Sequence, residues 1–197
     1  MPDTNELAAL EAQIRECFGR VIYTHKTHSK MADRKVGILK KLKLFQIGLS
    51  SLTATGAISI VFTDHFALKL MTALISLGTV TLTAYMKGFD PGAEAQKHRD
   101  AAADIWPIRE SYLSLLTDIV SGDQELGKLR ELRDALQNSL AAIYKGAPHT
   151  DGRAYGDAQV ALKQNEEYTF SDDEIDAFLP KHLKKRDREP TPDQKYL

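Results

Sequence analysis

The sequence is poor in the residues and motifs on which most enzymes depend. Cysteine occurs once, as Cys17, which excludes an internal disulfide and fits a reducing compartment. The chain has no nucleophile elbow, no HExxH motif, no paired cysteines and no dinucleotide fingerprint. The glycines of residues 149–156 lack the lysine and the preceding strand of a phosphate loop. We therefore predict a protein that is not an enzyme and that uses no cofactor or metal.

A large excess of charge of one sign is also lacking. The formal net charge is −1, so bulk electrostatics give no reason to expect a nucleic-acid partner. The polar, acidic N-terminus lacks the apolar core of a cleavable signal peptide. The first apolar segment is therefore expected to act as its own insertion signal.

What the sequence has instead is two long apolar runs. Residues 44–62 carry no charge, residues 66–86 carry only Lys69, and a polar break at 63–65 separates them. At about 1.5 Å per residue the first run spans about 28 Å, close to the roughly 30 Å hydrocarbon core of a bilayer. A buried hairpin in a soluble bundle is the alternative, but such helices usually keep a charged face. The pattern predicts a transmembrane helical hairpin over residues 44–86, with the lipid bilayer as partner.

Basic residues flank the hairpin on one side. Positive charge stays on the cytoplasmic side of a membrane, so both termini are expected in the cytoplasm, with Asp64 and Lys69 at the outer mouth. A further alternative is that residues 40–43 and 181–188 bind anionic lipid or RNA. The basic residues before the first run are Lys26, Lys30, Arg34, Lys35, Lys40, Lys41 and Lys43.

The remaining chain has helical periodicity, so we predict an all-α fold with long cytoplasmic helices before and after the hairpin. The predicted regions are an N-terminal amphipathic helix (residues 1–43), the transmembrane hairpin (44–86), a C-terminal cytoplasmic helical region (87–183) and a disordered tail (184–197).

Local signals predict where the helices begin and end. The sequence KGFDPG should break the chain after the hairpin, Pro107 should kink or interrupt the next helix, and Gly122 should end it. The predicted helices run from Thr4 or Asn5 to about Lys41, from about Ala93 to Val120, from Asp123 to about Tyr144, from about Asp157 to Tyr168, and from a capping box at Ser171 and Glu174.

The apolar stripe of the first helix leads into histidines. Steps of three and four residues connect Leu7 to His25 and His28. These side chains are candidates for a hydrogen-bonded interface, a protonation-sensitive contact or a metal site, although no third metal ligand is evident. Helical rise places Asp100 and Asp104 level with them if the helix after the hairpin returns alongside. We hypothesise that one of these acids pairs with one of the histidines as a switch contact.

Small and hydroxyl residues form a stripe on each apolar run. They can pack the two helices together, because small residues allow close approach and hydroxyls bond the i−4 carbonyl. Alternatively one stripe lines a water-filled path, with Lys69 as a charged ring at its mouth. Two helices cannot enclose a lumen, so that interpretation requires a homo-oligomer. The stripes are Gly48, Ser51, Thr55 and Ser59 on the first run and Thr72, Ser76, Thr79 and Thr83 on the second.

Three segments resemble one family. Residues 23–28 (YTHKTH), 98–106 (HRDAAADIW) and 143–148 (IYKGAP), together with the hairpin, are similar to the SLATT domain, the SMODS- and SLOG-associating two-transmembrane effector. The resemblance implies an effector of bacterial anti-phage conflict systems that permeabilises the inner membrane when a nucleotide-signalling or sensor partner triggers it. Tyr23, His25 and His28 carry over as signature residues without an established role.

Two functions follow as hypotheses. The first is a homo-oligomeric pore-forming effector in the bacterial inner membrane, silent until a signal rearranges its cytoplasmic helices. The alternative is a membrane-anchored scaffold that recruits a cytoplasmic partner through the leucine stripe of residues 126–143.

Overall fold

The computed structural model of the chain describes residues 4–122 and 124–185. These ranges form helices without any strand, which confirms the all-α prediction. The chain divides into two compact units, Met1–Ala158 and Gln159–Leu197. The helices are α1 (Thr4–Phe62), α2 (Phe66–Phe89), α3 (Pro91–Ser121), α4 (Leu126–Gly146), α5 (Gly152–Lys163) and α6 (Asp172–Phe178), followed by a 3-10 turn at Lys181–Leu183.

The first helix is continuous from its polar start to its apolar end. α1 has 59 residues. At about 1.5 Å per residue its length is about 88 Å. No proline occurs in Thr4–Phe62, so nothing in its backbone forces a break. The predicted amphipathic helix and the predicted first span are therefore parts of one helix, and the boundary between residues 43 and 44 is a change in composition alone.

The chain reverses direction where the polar break was predicted. α1 ends at Phe62 and α2 begins at Phe66. The backbone N–H of Thr63 still bonds the carbonyl of Ser59 at 3.0 Å, so the last turn of α1 is completed before the reversal. α2 then returns antiparallel to α1.

A single residue, Asp90, separates α2 from α3. Its carboxylate accepts hydrogen bonds from the backbone N–H groups of Gly92 at 3.1 Å and Ala93 at 3.0 Å. Pro91 occupies the first turn of α3, where its fixed φ suits a helix and its missing N–H costs nothing. The break is thus shorter than predicted, and α3 begins at Pro91 rather than near Ala93.

Pro107 does not interrupt α3, contrary to one of the two outcomes predicted for it. Pro107 lies on the exposed face of the helix. Ala103 lies on the same face, and its carbonyl has no helical hydrogen bond because proline lacks an N–H. Water can satisfy that carbonyl, so the helix tolerates the proline there.

The connections after α3 differ from the prediction in their bounds. Gly122 ends α3 in the left-handed conformation (φ 72°), as predicted. The predicted N-cap Asp123 lies outside the described residues, and α4 begins at Leu126. α5 begins at Gly152, inside the segment predicted as a loop, because Asp151 caps it by accepting from the Ala154 N–H at 2.7 Å. α5 ends at Lys163 instead of Tyr168.

The second unit contains the predicted capping box. The Ser171 hydroxyl accepts from the Glu174 N–H at 3.3 Å, and the Glu174 carboxylate accepts from the Ser171 N–H at 2.8 Å. Asp176, which is buried, accepts from the Lys185 N–H at 2.8 Å. Of the predicted disordered tail, residues 186–197 lie outside the described residues.

A heptad-like series of buried and half-buried positions runs along α1, α2 and α3, and we call it the seam. Steps of three and four residues keep one face of each helix against its partner. On α1 the seam positions are Leu7, Leu10, Ile14, Cys17, Val21, His25, His28, Ala32, Lys35, Leu39, Leu42, Gln46, Leu49, Thr53, Gly56 and Ile60. On α2 and α3 they are Leu68, Thr72, Ile75, Thr79, Leu82 and Met86, then Pro91, Ala95, His98, Ala102, Ile105, Arg109, Tyr112, Leu116 and Ile119.

The two ends of the seam are packed differently. At the polar end, residues 4–43 of α1 together with α3 and α4 form what we call the bundle. At the other end, residues 44–86 form the apolar hairpin, in which no residue is fully buried. The bundle core consists of Leu10, Ile14, Val21, Ile105, Tyr112, Leu115, Ile119 and Leu129.

Candidate functional site

The two helices of the hairpin are held together by small and polar side chains. Gln46 donates from Nε2 to the Thr83 hydroxyl at 2.9 Å. A Cβ placed on Gly56 would lie 2.4 Å from Thr72 Oγ1, so only glycine fits there without a shift. Gln46 and Gly56, which the sequence analysis did not single out, are thus the clearest contacts between α1 and α2.

The two predicted stripes lie on different surfaces. On α1, Gly48, Ser51 and Thr55 are exposed, away from the partner helix. No atom lies within 4 Å of the Cβ position of Gly48, which is open space. The positions of the α1 stripe differ from those of the seam by one or two residues, so the stripe is a second face of the helix. Its last member, Ser59, is half-buried.

The stripe on α2 instead lies on the side of the helix that packs on α1. Thr72, Ser76 and Thr79 are half-buried, and Thr83 accepts the hydrogen bond from Gln46. This placement fits the packing interpretation for α2. Hydroxyls on both helices bond carbonyls one turn earlier, as an apolar medium requires. Such bonds are Ser51 to Ile47 and Ser59 to Thr55 at 2.9 Å, Thr72 to Leu68 and Thr79 to Ile75 at 2.9 Å, and Thr83 to Thr79 at 2.8 Å.

At the tip of the hairpin, the two residues predicted for the outer mouth form an ion pair. The Lys69 ammonium contacts the Asp64 carboxylate, and both side chains are largely exposed. The only charge within the second apolar run is therefore neutralised beside the reversal.

The seam contains three buried histidines, which we call the histidine cluster: His25 and His28 on α1 and His98 on α3. Nδ1 of His28 lies 3.0 Å from Nδ1 of His98. The His25 ring packs on Trp106, with the centroids 5.4 Å apart. The guanidinium of Arg109 lies 4.3 Å from the centroid of the same indole ring.

The predicted pairing of histidine with aspartate is wrong for His28, whose partner is His98. Asp100 and Asp104 are both exposed, and Asp100 accepts from Gln96 Nε2 at 2.7 Å. Helical rise correctly placed these acids near the depth of the histidines, but they lie around the helix from the seam. His98 has both the right depth and the right face.

Burial keeps the histidine cluster neutral. It lowers the pKa of His25 to about 4, helped by the positive charges of Arg109 and Lys26 and by His28. Burial and the neighbouring His98 lower the pKa of His28 to about 4. The pKa of His98 is also lowered, first by burial and then by Lys35, against the opposing effect of Glu94 and Asp151.

Contacts beside the cluster attach the start of α5 to α1. Tyr23 packs on Tyr155, with ring centroids 5.7 Å apart. Arg34 forms an ion pair with Asp151 at 3.2 Å, and Asp151 is the residue that caps α5. The signature segment of residues 23–28 thus contacts both α3 and α5.

The leucine stripe of α4 belongs to the core. Leu129 is buried, and the other members pack against the core cluster. The surface through which a scaffold was predicted to recruit its partner is therefore already covered by this chain. The remaining stripe residues are Leu126, Leu132, Leu136, Leu140 and Ile143.

Within residues 4–122 and 124–185, no three His, Cys, Asp or Glu side chains are grouped to hold a metal ion. The histidine cluster instead makes ring contacts, which favours the interface and protonation interpretations of His25 and His28 over the metal site.

The hairpin has the surface of a membrane-spanning segment. The 18-residue apolar window within Asn5–Phe62 is 0% buried, and that within Phe66–Ser121 is 6% buried. The core helix of a soluble protein would be mostly covered, and soluble proteins rarely expose large contiguous apolar surfaces. The fold and this surface define a helical membrane protein with two spans.

Comparison with known families gives the particular class. The sequence model of SMODS and SLOG-associating 2TM effector domain family 4 matches residues 10–174, and the chain belongs to that family. The resemblance to SLATT domains drawn from the sequence is thereby confirmed. No curated protein and no solved structure matches the chain. Membership implies a two-transmembrane effector of conflict systems and adds no indication of catalysis.

Proposed function

We propose that this chain is the membrane effector of a bacterial anti-phage system and that several copies assemble into a pore in the inner membrane. Both termini and the bundle lie in the cytoplasm, following the positive-inside distribution of basic residues. A nucleotide-signalling or sensor partner acts on the bundle and releases a silent state. This assignment extends the family's effector role to a mechanism.

The observation that carries the pore is the second polar face of α1. Gly48, Ser51 and Thr55 are exposed away from α2, on a helix that also exposes large apolar side chains such as Phe45 and Ile47. In a lone hairpin this face meets lipid, where hydroxyls gain little. In a ring of hairpins it can face a shared lumen, because Ser and Thr hydroxyls can also bond water.

The same geometry assigns different tasks to the two stripes. Thr72 and Thr79 are committed to the interior of each hairpin, so they hold the subunit together. The α1 stripe is free for contacts between subunits or with water. The pore is therefore proposed to be lined by α1, with Asp64 and Lys69 around its outer mouth.

Substituted-cysteine accessibility tests this assignment. In a Cys17→Ser background, Ser51→Cys and Thr55→Cys are compared with Ala57→Cys, at an exposed position that helical spacing places on a different face of α1. Expression to high level should depolarise bacterial cells, and a cationic thiol reagent should reduce the current through the first two variants but not through the control. Equal modification of all three, or no depolarisation at any expression level, would contradict the pore.

The assembly and its orientation need separate measurements. The mass of the detergent-solubilised particle should exceed that of a monomer, with or without candidate cyclic nucleotides. An impermeant maleimide should label His65→Cys, but not His149→Cys, in intact spheroplasts. A monomer under every condition would contradict the pore, because a single hairpin encloses no lumen. Labelling at residue 149 alone would show that the topology is opposite to the one proposed.

A further inference from the structure

We infer that the histidine cluster is a proton-operated latch on the bundle: acidification of the compartment that holds the bundle protonates His25 and His28 and separates α1 from α3. The latch itself stands on the bundle alone. Only its consequence for the membrane rests on the proposed function.

The geometry permits only one proton between the two facing rings. His28 Nδ1 and His98 Nδ1 are 3.0 Å apart, so one nitrogen donates a hydrogen bond and the other accepts it. If both nitrogens carried a proton, two N–H groups would face each other in a site where the two residues are only 3% and 1% exposed. Protonation of one ring places an unhydrated charge in this site, and protonation of both rings converts the attractive contact into a repulsive one, without nearby water to relieve it.

Charged groups on α1, on α3 and ahead of α5 act on the cluster. From α1 the cluster is influenced by Lys26 and Lys35, and from α3 by Arg109 and Glu94. Asp151, ahead of α5, acts on His98 together with Glu94 in the opposite sense to Lys35. The charges that act on His25 are cations, so an imidazolium there meets like charge. Glu94 and Asp151 favour the protonated form of His98, and they are the only acids among these groups.

The direction of the pH effect follows from linkage. The closed bundle holds the pKa of His25 and of His28 at about 4, whereas an exposed histidine titrates near 6.5. Between these values the opened form binds protons that the closed form does not, so closing is favoured above about pH 6.5 and weakened as the pH falls toward 4. On going from pH 7.5 to 5.5, each histidine shifts the balance toward opening about ten-fold, or about 100-fold for the two.

The position of the cluster gives this shift a route to the membrane. His25 and His28 lie on the same unbroken helix as the stripe of Ser51 and Thr55. Releasing α1 from α3 therefore frees the helix that the proposed pore depends on. Acidification on the bundle side would act as a signal in its own right or lower the threshold for a partner.

The single tryptophan of the chain allows a direct test. Trp106 is the only indole in the sequence and packs on His25, so its emission reports both the protonation of that ring and the loss of the contact. The full chain in nanodiscs is titrated from pH 7.5 to 4.5, and hydrogen exchange is measured in residues 21–32 and 95–105. After correction for intrinsic rates, protection there should fall by about 100-fold between pH 7.5 and 5.5, while α4 serves as internal reference.

Matched variants separate the latch from general acid instability. His28→Asn combined with His98→Asn keeps a hydrogen-bonding pair that does not titrate, and should lose about half of the logarithmic response. Adding His25→Gln should remove the rest. His149→Asn, which replaces an exposed histidine, should respond as the wild type does.

The inference is overturned if protection in residues 21–32 and 95–105 does not fall, or if the triple variant responds like the wild type. If the asparagine pair lacks wild-type helicity at pH 7.5, His25→Gln alone must still reduce the exchange response by about ten-fold. Dye release from sealed vesicles that contain the same full chain distinguishes the two proposals. Acid-sensitive exchange without leakage under any trigger supports the latch and refutes the pore. Leakage without acid-sensitive exchange supports the pore and refutes the latch.

Discussion

The bundle and the hairpin use one seam in two different ways. In the bundle, seam positions such as Ile14, Ile105 and Tyr112 are fully buried, so removal of apolar surface from water stabilises the contact. In the hairpin, the seam passes through Gln46 and Gly56, and no residue of 44–86 is fully buried. Lipid is as apolar as leucine, so close approach and hydrogen bonds replace hydrophobic burial there. The three-and-four spacing of the seam therefore continues from the water-exposed bundle into the hairpin, while the residues at its positions change from large and apolar to include small and polar ones.

The strongest test of this contrast is to truncate one large apolar residue in each half. Ile105→Ala in the bundle should cost about 2–5 kcal/mol of unfolding free energy, because it leaves a cavity. Leu74→Ala in the hairpin, where the side chain is 54% exposed, should cost less than about 0.5 kcal/mol. Chemical denaturation followed by circular dichroism in a mild detergent measures both. Equal losses would mean that the hairpin is buried in its own protein interior.

The next largest effect is expected at the closest approach in the hairpin. Gly56→Ala places a methyl group 2.4 Å from Thr72 Oγ1. The resulting overpacking should cost about 1–3 kcal/mol. Thr72→Ala should restore most of the loss. The control is Gly48→Ala, which enters open space and should be neutral or slightly stabilising. Thermal unfolding in detergent compares the four proteins, and identical behaviour at positions 48 and 56 would contradict the packing.

A smaller effect is expected where the two halves join. Asp90→Ala removes the cap that accepts from the N–H groups of Gly92 and Ala93. This should cost about 1 kcal/mol and increase hydrogen exchange in the first turn of α3. Asp104→Ala, at an exposed position within the same helix, is the matched control. A uniform increase along the whole of α3 would indicate loss of packing and not loss of a cap.

The smallest effect should come from the hydrogen bond between Gln46 and Thr83. A double-mutant cycle with Gln46→Leu and Thr83→Val should give a coupling energy of about 0.6 kcal/mol, typical of polar contacts within membranes. Coupling well above about 2 kcal/mol would show that this one bond determines the hairpin. The same detergent unfolding measurement applies.

Much of this architecture is readable from composition and periodicity. The charge-free run of 44–62 and the break at 63–65 predicted the hairpin, and Gly122 predicted the end of α3. The start of α5 was missed because glycines at 152 and 156 indicate a loop. Asp151, whose capping bond depends on three-dimensional geometry, overrides that local preference.

The partner of His28 in the histidine cluster could not be predicted from distance along the helices alone. Distance from the membrane was counted along each helix, which gives depth but not direction around the axis. Asp100 satisfied the first criterion and His98 satisfied both. Steps of four and three residues from Pro91 lead to His98. The sequence pattern therefore identifies His98 as a seam residue once the start of α3 is known. The contact of Gly56 with Thr72 had no such signal, because it depends on the register between the two helices.

The unbroken backbone of α1 has a mechanical consequence. With 59 residues and no proline, it has no joint at which one end can turn independently of the other. A rotation beside His28 is therefore carried along the axis toward Thr55, about 40 Å away, less the part that slight changes in winding absorb. A local break on the way would require several backbone hydrogen bonds to rupture, and inside a bilayer no water is present to replace them.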